Sequence, residues 1–320
     1  METFGLKIAF AGVSHWHVPL YLTKMPQGAV AAVSDPDAAI AQRFADQLSC
    51  RCYTDYKELL EAEKPDFVFA FAPHYQMADM ALDLIGRGIP FTMEKPMGMN
   101  LAEVEKIAST AEEAGVFCAI PFVWRYSDTV NRLKDEILSG KILHMSYKFI
   151  AGPPSRYLAT SEWMLHKDKA GGGCMTNLGV HFIDMAMYLT DSDAADVLST
   201  SYHCGEYDIE IYGSSMLQLD SGASLILETG YAYPMDESKR ENRWTIVTEN
   251  GYYTLAENKL EAREYGKETQ VIPLNTDSDV YYAIFAETTL SDYVNKRRPR
   301  ASLVEMRKVR GILDEINAKA

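Results

Sequence analysis

The sequence contains no long uninterrupted hydrophobic run. No apolar stretch in its 320 residues comes close to the ~18 residues that a bilayer-spanning helix needs. The first residues, 1–7, also lack the basic segment followed by an apolar core that marks a secretory signal. These absences predict a soluble protein that neither spans a membrane nor is exported, and we expect it in the cytoplasm.

Cysteine is scarce as well. The chain has five cysteines, an odd and scattered set, which is typical of reduced thiols in a cytosol. Cys50 and Cys52 stand close together, but a zinc site built on such a pair needs a second pair, which the sequence lacks. The cysteine pattern therefore predicts neither a disulfide framework nor a metal site.

Positive charge is the third deficit. Lysine and arginine together number 31 against 45 aspartate and glutamate residues, so the formal net charge is −14. A polyanion repels nucleic acid and anionic membrane surfaces, although local geometry can still hold a small phosphate group. With 47% hydrophobic and 24% charged residues, the chain has the composition of a globular protein and is long enough for two domains.

Short apolar runs alternate with helical patterns in the first third of the chain, which predicts a doubly wound parallel sheet. The predicted strands cover residues 7–12, 29–34, 66–72, 90–93 and 117–120. The predicted helices are one that ends near residue 25 and others at 38–48, 76–87 and 101–114. We therefore expect an N-terminal Rossmann domain at residues 1–122.

Beyond this block the composition shifts towards β-branched and aromatic residues. Residues 142–149 and 195–254 have strand patterns, with turn signals at 220–222 and 249–251. The predicted helices of this part cover residues 127–138, 176–189, 280–295 and 302–318. We expect a C-terminal α+β domain at residues 123–320 with a large, mostly antiparallel open sheet, so the fold class is α/β. An exposed sheet face favours a homo-oligomer, either a dimer or a tetramer.

The turn after the first predicted strand has the place, but not the glycines, of the dinucleotide fingerprint G-x-G-x-x-G. It reads Gly12-Val13-Ser14-His15-Trp16-His17, so only the first glycine remains. Gly12 can make the tight turn, the Ser14 hydroxyl can donate to a phosphate, and His15 and Trp16 can pack over a cofactor. An ordinary strand-to-helix turn explains the loop equally well.

Asp35 follows the second predicted strand, 23 residues after Gly12. An acidic side chain at this place accepts hydrogen bonds from the adenosine ribose and repels a 2′-phosphate, which favours NAD over NADP. The alternative is a solvated aspartate that opens the turn before Pro36.

Two further motifs lie far apart in the chain. Glu94-Lys95-Pro96 ends the fourth predicted strand, at the sheet edge where open α/β folds bind their ligands. The stretch 171–184 begins with three glycines. It places Asn177, His181 and Asp184 at positions i, i+4 and i+7, on one face of the predicted helix.

In this ordered set of motifs the sequence resembles the glucose-fructose oxidoreductase, inositol dehydrogenase and MocA family, over nearly the whole chain. Members carry Glu-Lys-Pro after the fourth strand and a stretch G-G-G-x-x-x-D-x-G-x-H-x-x-D in the second domain. Other matching segments are Ala72-Pro73-His74, similar to a Thr-Pro-Asn turn, Trp124-Arg125-Tyr126 after the fifth strand, and Trp163 before the glycines.

The resemblance implies an NAD-dependent oxidoreductase that acts on a CH-OH group of a sugar, a sugar derivative or a cyclitol. Together with the turn and the acidic residue above, it predicts cofactor contacts from Gly12, Ser14, His15, Trp16, Asp35, Ala72, Pro73, His74, Glu94, Lys95 and Trp124. The candidates for substrate contacts are Lys95, Arg125, Arg156, Trp163, His166, Asn177 and His181. The resemblance also implies a cis peptide bond between Lys95 and Pro96.

Hydride transfer at an alcohol requires a base for the hydroxyl proton and a donor to the developing alkoxide. With the support of the resemblance, we assign the proton to His181, the donor to Lys95 and substrate orientation to Asn177. Many members carry Asp at position 177. Because an amide cannot accept a proton, a Lys-Asp-His relay gives way here to a Lys-His pair. We interpret Asp184 as structural, through bonds to the backbone of its helix.

Two other functions stay open. Some relatives use bound NAD transiently to cleave a glycosidic bond, and such an enzyme releases an aglycone without net NADH. The missing fingerprint glycines and Asn177 also fit a non-catalytic NAD-binding sensor. In every case the expected partner is a small polyhydroxylated compound, and neither nucleic acid nor a membrane.

Overall fold

The computed structural model describes residues 2–234 and 240–320. Residue 1 and residues 235–239, which fall in the predicted strand-rich region, lie outside the described residues. The chain divides into two compact units. The first comprises Met1–Pro121 and Asp279–Arg307, and the second comprises Phe122–Ser278 and Lys308–Ala320. No helix in the two described ranges is long and apolar enough to cross a membrane.

The regular elements are numbered in chain order. The strands are β1 (Ile8–Ala11), β2 (Val30–Ser34), β3 (Arg51–Tyr53), β4 (Phe67–Ala70), β5 (Phe91–Met93), β6 (Cys118–Ala119), β7 (Ile142–Ile150), β8 (Ala195–His203), β9 (Tyr212–Leu219), β10 (Ser224–Gly230), β11 (Glu241–Thr248), β12 (Gly251–Ala256), β13 (Lys259–Glu264) and β14 (Gln270–Pro273). The α-helices are α1 (Val18–Leu22), α2 (Ala38–Leu48), α3 (Tyr56–Glu63), α4 (His74–Gly86), α5 (Leu101–Ala114), α6 (Asp128–Arg132), α7 (Lys167–Ala170), α8 (Val180–Thr190), α9 (Tyr281–Val294) and α10 (Leu303–Ala318). Short 3₁₀ segments cover Val123–Tyr126, Pro154–Tyr157 and Glu162–Leu165, and π-helical turns cover Leu133–Ile137 and Met175–Gly179.

The first unit contains a parallel sheet with the strand order β3-β2-β1-β4-β5-β6. The order reverses between β1 and β4, as in a doubly wound Rossmann sheet, so the predicted fold class is confirmed. The four residues of β1 are completely buried, which explains why their apolar run predicted a central strand. The sequence did not predict β3 and α3, because β3 is short and carries no buried residue.

Two helices of this unit have the predicted bounds because their ends carry strong capping residues. Asp37 caps α2 by accepting from the backbone N–H groups of residues 39 and 40, at 2.9 and 3.2 Å. Asn100 caps α5 by accepting from the N–H of Glu103 at 3.0 Å. Gly115 ends α5 in the left-handed conformation, with a φ of +65°.

Helix α9 belongs to the first unit, although it follows the second unit's sheet in sequence. The ring of Tyr282 lies 4.4 Å from that of His17 and 5.3 Å from that of Tyr21, so α9 packs on α1 and the turn before it. The N–H of Ile120 also donates to the carbonyl of Ala301 at 3.1 Å. The compact units therefore differ from the two contiguous stretches, 1–122 and 123–320, that the sequence predicted.

The second unit contains a sheet of eight described strands in the order β14-β13-β12-β11-β7-β10-β9-β8. Only the β7–β10 pair is parallel, so the predicted mostly antiparallel sheet is confirmed. Strands β13 and β14 extend it beyond residue 254, where the prediction ended. Helix α8 covers one face, where the ring of Phe182 packs 5.7 Å from Tyr147 and 5.4 Å from Phe149. On β9 and β10 the paired side chains of Met216 and Ile226 are exposed.

Candidate active site

The turn after β1 is held close to the neighbouring strands. The N–H groups of Gly12 and Val13 donate to the carbonyl of Ser34, at 2.7 and 3.1 Å. Gly12 has a φ of +84°, and a Cβ at this position would overlap the backbone carbonyl of Phe71. The one fingerprint glycine that the sequence retains is therefore required by the fold itself, at the carboxyl end of the first strand.

Asp35 is not a solvated turn residue, since only 3% of its surface is exposed. One carboxylate oxygen accepts from the N–H of Ser14 at 2.6 Å, and the other accepts from the N–H of Asp37 at 3.0 Å. The side chain thus links the end of β2 to the turn after β1, and the alternative of a solvated aspartate is wrong. Its predicted contact with a ribose stays a prediction.

The residues after β1 form a cluster of imidazole and aromatic rings with a buried carboxylate, Glu94. The His15 ring stacks on Trp16 at 4.0 Å. His17 Nδ1 lies 3.0 Å from Glu94 Oε1, and the Tyr21 hydroxyl donates to the same oxygen at 2.9 Å. The sequence predicted His15, Trp16 and Glu94 as cofactor contacts but missed His17 and Tyr21, because nothing local shows that α1 packs against the end of β5.

Electrostatics in this cluster favour an ionised carboxylate. Burial alone would raise the pKa of Glu94. The electrostatic effect of His17 and its hydrogen bond lower the pKa by more, and His15 and Lys95 add to this effect. The pKa of Glu94 therefore lies well below its usual range. The pKa of His15 lies well below its usual value, mainly because protein atoms surround the ring. Glu94 raises this pKa, whereas the electrostatic effects of His17, Lys95 and His74 lower it.

Lys95 directly follows Glu94 at the end of β5 and is 3% exposed. Lys95 is therefore not an ordinary surface lysine. The peptide bond between Lys95 and Pro96 is cis, which confirms the prediction for this bond.

The first unit brings most of the predicted cofactor contacts to one edge of its sheet. They follow the carboxyl ends of β1 (Gly12, Ser14, His15 and Trp16), β2 (Asp35), β4 (Ala72, Pro73 and His74) and β5 (Glu94 and Lys95). Open α/β sheets bind ligands at this edge. Trp124 instead belongs to the second unit, where it is buried edge-on against Trp244 at 4.7 Å. A cofactor contact of Trp124 stays a prediction.

In the second unit, the glycine-rich stretch enters a π-helical turn, Met175–Gly179, that leads directly into α8. A Cβ at Gly173 would overlap the backbone carbonyl of Glu210. That carbonyl accepts from the N–H of Cys174 at 2.9 Å, and Glu210 Oε1 accepts from the N–H of Met175 at 3.0 Å. Glu210, which the sequence did not single out, therefore anchors the start of the segment that carries Asn177 and His181.

Asn177 is 4% exposed and donates both amide hydrogens to tyrosines. Its Nδ2 lies 3.1 Å from the Tyr157 hydroxyl and 2.9 Å from the Tyr231 hydroxyl. The guanidinium of Arg156 lies 4.6 and 5.2 Å from the same two rings, and donates to the Tyr157 hydroxyl at 2.6 Å. Asn177 and Arg156, both predicted for the substrate, thus share a cluster with two tyrosines that the sequence did not reveal.

The other predicted residues of this segment have separate partners. His181 is half-buried, with its ring edge-on to Phe122 at 6.3 Å. Asp184 is buried and binds the guanidinium of Arg125 at 2.8 and 2.9 Å. Arg125 therefore gives Asp184 a structural partner, whereas the expected bonds to the backbone of its helix stay a prediction. Asn177 lies in the π-helical turn, whereas His181 and Asp184 lie on α8, so the predicted spacing does not follow one regular α-helix.

Arg125, Trp163 and His166 have different surroundings from the tyrosine cluster. Arg125 is committed to Asp184 and lies over the ring of Tyr188 at 4.9 Å. Trp163 is half-buried in the 3₁₀ segment Glu162–Leu165, and His166 is exposed beside Asp168 and Asp208. Substrate contacts from these three residues stay predictions.

Comparison with known proteins places both units in one family. Residues 6–122 match the model of an oxidoreductase family with an NAD-binding Rossmann fold. Residues 128–254 match the model of the GFO/IDH/MocA C-terminal domain. The two matches follow each other along the chain and cover most of it.

Individual relatives are distant. The rhizopine catabolism protein MocA of Rhizobium meliloti is 28% identical over 168 residues, which is 51% of this chain and 50% of that protein. D-glucoside 3-dehydrogenase of Escherichia coli (strain K12) is 25% identical over 268 residues, which is 76% of this chain and 75% of that protein. The matched stretches thus span about half of the first relative and three quarters of the second.

A solved structure shows the same fold over the full length. Levoglucosan dehydrogenase, in a complex with NADH and levoglucosan, gives a TM-score of 0.84 at 14% sequence identity. The match covers 98% of this chain and 97% of that chain. With both family models matched in order, the chain belongs to the GFO/IDH/MocA family of oxidoreductases with an NAD-binding Rossmann fold.

Proposed function

We propose that the protein is an NAD-dependent dehydrogenase that acts on a secondary alcohol of a sugar, a sugar derivative or a cyclitol. The observation that carries the proposal is the burial of Lys95 at the carboxyl edge of an NAD-binding Rossmann sheet. This edge is where such folds bind their ligands, so Lys95 stands where its ammonium group can reach a bound substrate.

The first unit fits a dinucleotide. Gly12 makes the tight turn after β1, where a Cβ would overlap the backbone carbonyl of Phe71, and the Ser14 hydroxyl can donate to a phosphate. Asp35 stands at the end of β2, where its carboxylate can accept from a ribose hydroxyl. Because a second negative charge beside Asp35 is repelled, we expect NAD and not NADP as the preferred cofactor.

Bound NAD supplies the site that accepts or gives the hydride, and the side chains handle the proton. His181 would take the hydroxyl proton, since an imidazole titrates near neutral pH. Lys95 would donate to the same substrate oxygen and stabilise its developing negative charge. Asn177 would orient the substrate, together with Tyr157 and Tyr231, which hold its amide.

The relatives point to the same substrate class. One relative is named a D-glucoside 3-dehydrogenase, and the solved structure with the same fold holds NADH with levoglucosan. D-glucosides and levoglucosan are carbohydrates or carbohydrate derivatives with several hydroxyl groups. We therefore propose a polyhydroxylated substrate for this chain, with its identity to be found by experiment.

The test is the absorbance of NADH during incubation of the purified protein with NAD and a panel of aldoses, glycosides and cyclitols. We expect NADH to accumulate with at least one compound. Release of an aglycone from a glycoside without net NADH would instead identify a glycosidase that oxidises its substrate transiently. If the protein binds NAD but forms no NADH and releases no aglycone with any compound, the proposal is contradicted and a sensor is supported.

A further inference from the structure

Three side chains that can ligate a metal ion meet within the first unit, at the turn after β1. The ligand atoms of His15, His17 and Glu94 all lie within 4.8 Å of one another. His17 Nδ1 and Glu94 Oε1 are 3.0 Å apart. Two neighbouring ligands of one ion have about this spacing, because their bonds to the metal measure about 2.0–2.2 Å.

Glu94 offers an oxygen that the described residues leave unsatisfied. The carboxylate is 1% exposed, and its Oε1 already accepts from Tyr21 and faces His17. Its Oε2 is buried too, and no described residue forms a hydrogen bond with it. A carboxylate oxygen that is removed from water without a partner is costly, and a bound cation would satisfy it.

The two imidazoles are held by outer partners. His15 Nδ1 accepts from the backbone N–H of His17 at 3.2 Å, so Nδ1 carries the lone pair of the neutral ring and is the atom that would bind the ion in place of this hydrogen bond. His17 Nε2 lies 3.3 Å from the Tyr282 hydroxyl, and its Nδ1 faces Glu94. In metal sites the second ring nitrogen of a ligating histidine usually donates its N–H to an acceptor, as His17 Nε2 can to the Tyr282 hydroxyl, and this bond fixes the ring orientation.

We propose that His15, His17 and Glu94 form a binding site for one divalent transition-metal ion of the Zn²⁺ type. Two imidazoles and a carboxylate are the protein ligands of open zinc and non-haem iron sites, whereas Mg²⁺ and Ca²⁺ prefer oxygen ligands. The ion would connect the turn after β1 with the end of β5. The proposal rests on this geometry; because His15 and Glu94 are also predicted cofactor contacts, we expect the ion and NAD to compete, and the ion is therefore tested in the absence of nucleotide.

The sequence alone predicted no metal, because only paired cysteines were candidates and Glu94 lies 77 residues beyond His17. The folded sheet brings the carboxyl ends of β1 and β5 to one edge, and this edge assembles the three ligands.

The experiment is a titration of Zn²⁺ into the full-length protein after removal of metal and nucleotide, followed by calorimetry. Co²⁺ serves as a spectroscopic probe in a parallel titration. We expect one ion per chain, visible absorption bands of protein-bound Co²⁺, and a melting temperature that rises with the Zn²⁺ concentration. His15→Ala and His17→Gln should each weaken binding by more than about 10-fold, since loss of even an outer-shell partner typically costs that much.

His166→Ala is the matched control, because His166, Asp168 and Asp208 form an exposed group of possible ligands. This variant should bind Zn²⁺ as tightly as the wild type. The proposal fails if the protein binds no Zn²⁺ stoichiometrically, if binding survives His15→Ala, or if His166→Ala abolishes it. Circular dichroism verifies folding, and if His17→Gln does not fold, the half-buried His15 carries the test with His15→Ala.

Discussion

At the scale of single residues, the Asp35 carboxylate has one observed role and one proposed role. Its oxygens hold the N–H groups of Ser14 and Asp37, and its charge is proposed to select NAD. In Asp35→Asn only one oxygen remains as an acceptor, and the negative charge is gone. We expect the KM for NAD to rise by about 10-fold, as for the loss of about 1.4 kcal/mol, and the preference to shift towards NADP.

The measurement is the ratio of kcat/KM for the two cofactors in the wild type and in Asp35→Asn. Asp37→Asn is the control, because it removes a neighbouring charge but keeps an oxygen to cap α2. A wild type that prefers NADP, or a ratio that Asp35→Asn leaves unchanged, would contradict the assignment.

Asn177 provides the second prediction at this scale. Asn177→Leu removes its hydrogen bonds to the buried hydroxyls of Tyr157 and Tyr231, so the free energy of unfolding should fall by about 1–3 kcal/mol. In Asn177→Asp the hydroxyls can donate to the carboxylate, and we expect a smaller loss. Urea unfolding measures both variants. Equal stabilities of Asn177→Leu and the wild type would show that these hydrogen bonds do not hold the segment.

The sequence predicted Asn177, Lys95 and Asp35 because each stands at a recognisable place in a motif. It could not predict the partners of these residues. Tyr231 lies 54 residues from Asn177 and Tyr282 lies 265 residues from His17, so each pair meets only in the folded chain. Residue types and spacing therefore predict candidate groups for the chemistry, whereas contact partners follow from packing.

At the scale of elements, the π-helical turn Met175–Gly179 depends on a buried carboxylate. Burial raises the pKa of Glu210, although backbone N–H groups, including that of Met175, oppose the shift. A carboxyl whose folded pKa is raised stabilises the fold fully below its unfolded pKa, and this contribution is lost as the pH rises through the folded pKa. Glu210→Gln keeps an acceptor for the N–H of Met175 but cannot ionise.

We therefore expect the wild type to lose more stability than Glu210→Gln as the pH rises from about 4 to 7. The measurement is the free energy of unfolding in urea at several pH values for both proteins. A difference in the free energy of unfolding that stays constant with pH, or that changes in the opposite direction, would contradict a raised pKa of Glu210.

Helices were predicted well where their ends carry a chemical signal. Asp37 and Asn100 fix the starts of α2 and α5, and these two helices have the predicted bounds. The predicted helices at 127–138 and 176–189 instead contain π-helical turns. Hydrophobic periodicity does not distinguish such turns, because one widened turn hardly changes the apolar pattern of a whole helix.

At the scale of the whole molecule, the alternation of strands and helices predicted the Rossmann sheet, and the strand-rich composition predicted the second sheet. The sequence did not predict that Asp279–Arg307 belongs to the first unit. The apolar face of α9 predicts a buried helix, but it does not indicate which unit the helix packs against. The predicted homo-oligomer stays a prediction. Exposed Met216 and Ile226 on the second sheet are where we expect its interface.

The central claim is that Lys95 takes part in the chemistry and is not only a support of the fold. In Lys95→Ala, NAD should bind with nearly wild-type affinity, while kcat should fall by about 100-fold or more, as for the loss of a group that handles charge at the reacting oxygen. Lys106→Ala is the control, since Lys106 is exposed on α5. The two quantities are NAD affinity by calorimetry and kcat by NADH absorbance with the substrate found in the panel. Full turnover of Lys95→Ala would contradict the mechanism, whereas intact NAD binding with turnover lost is the result that we predict.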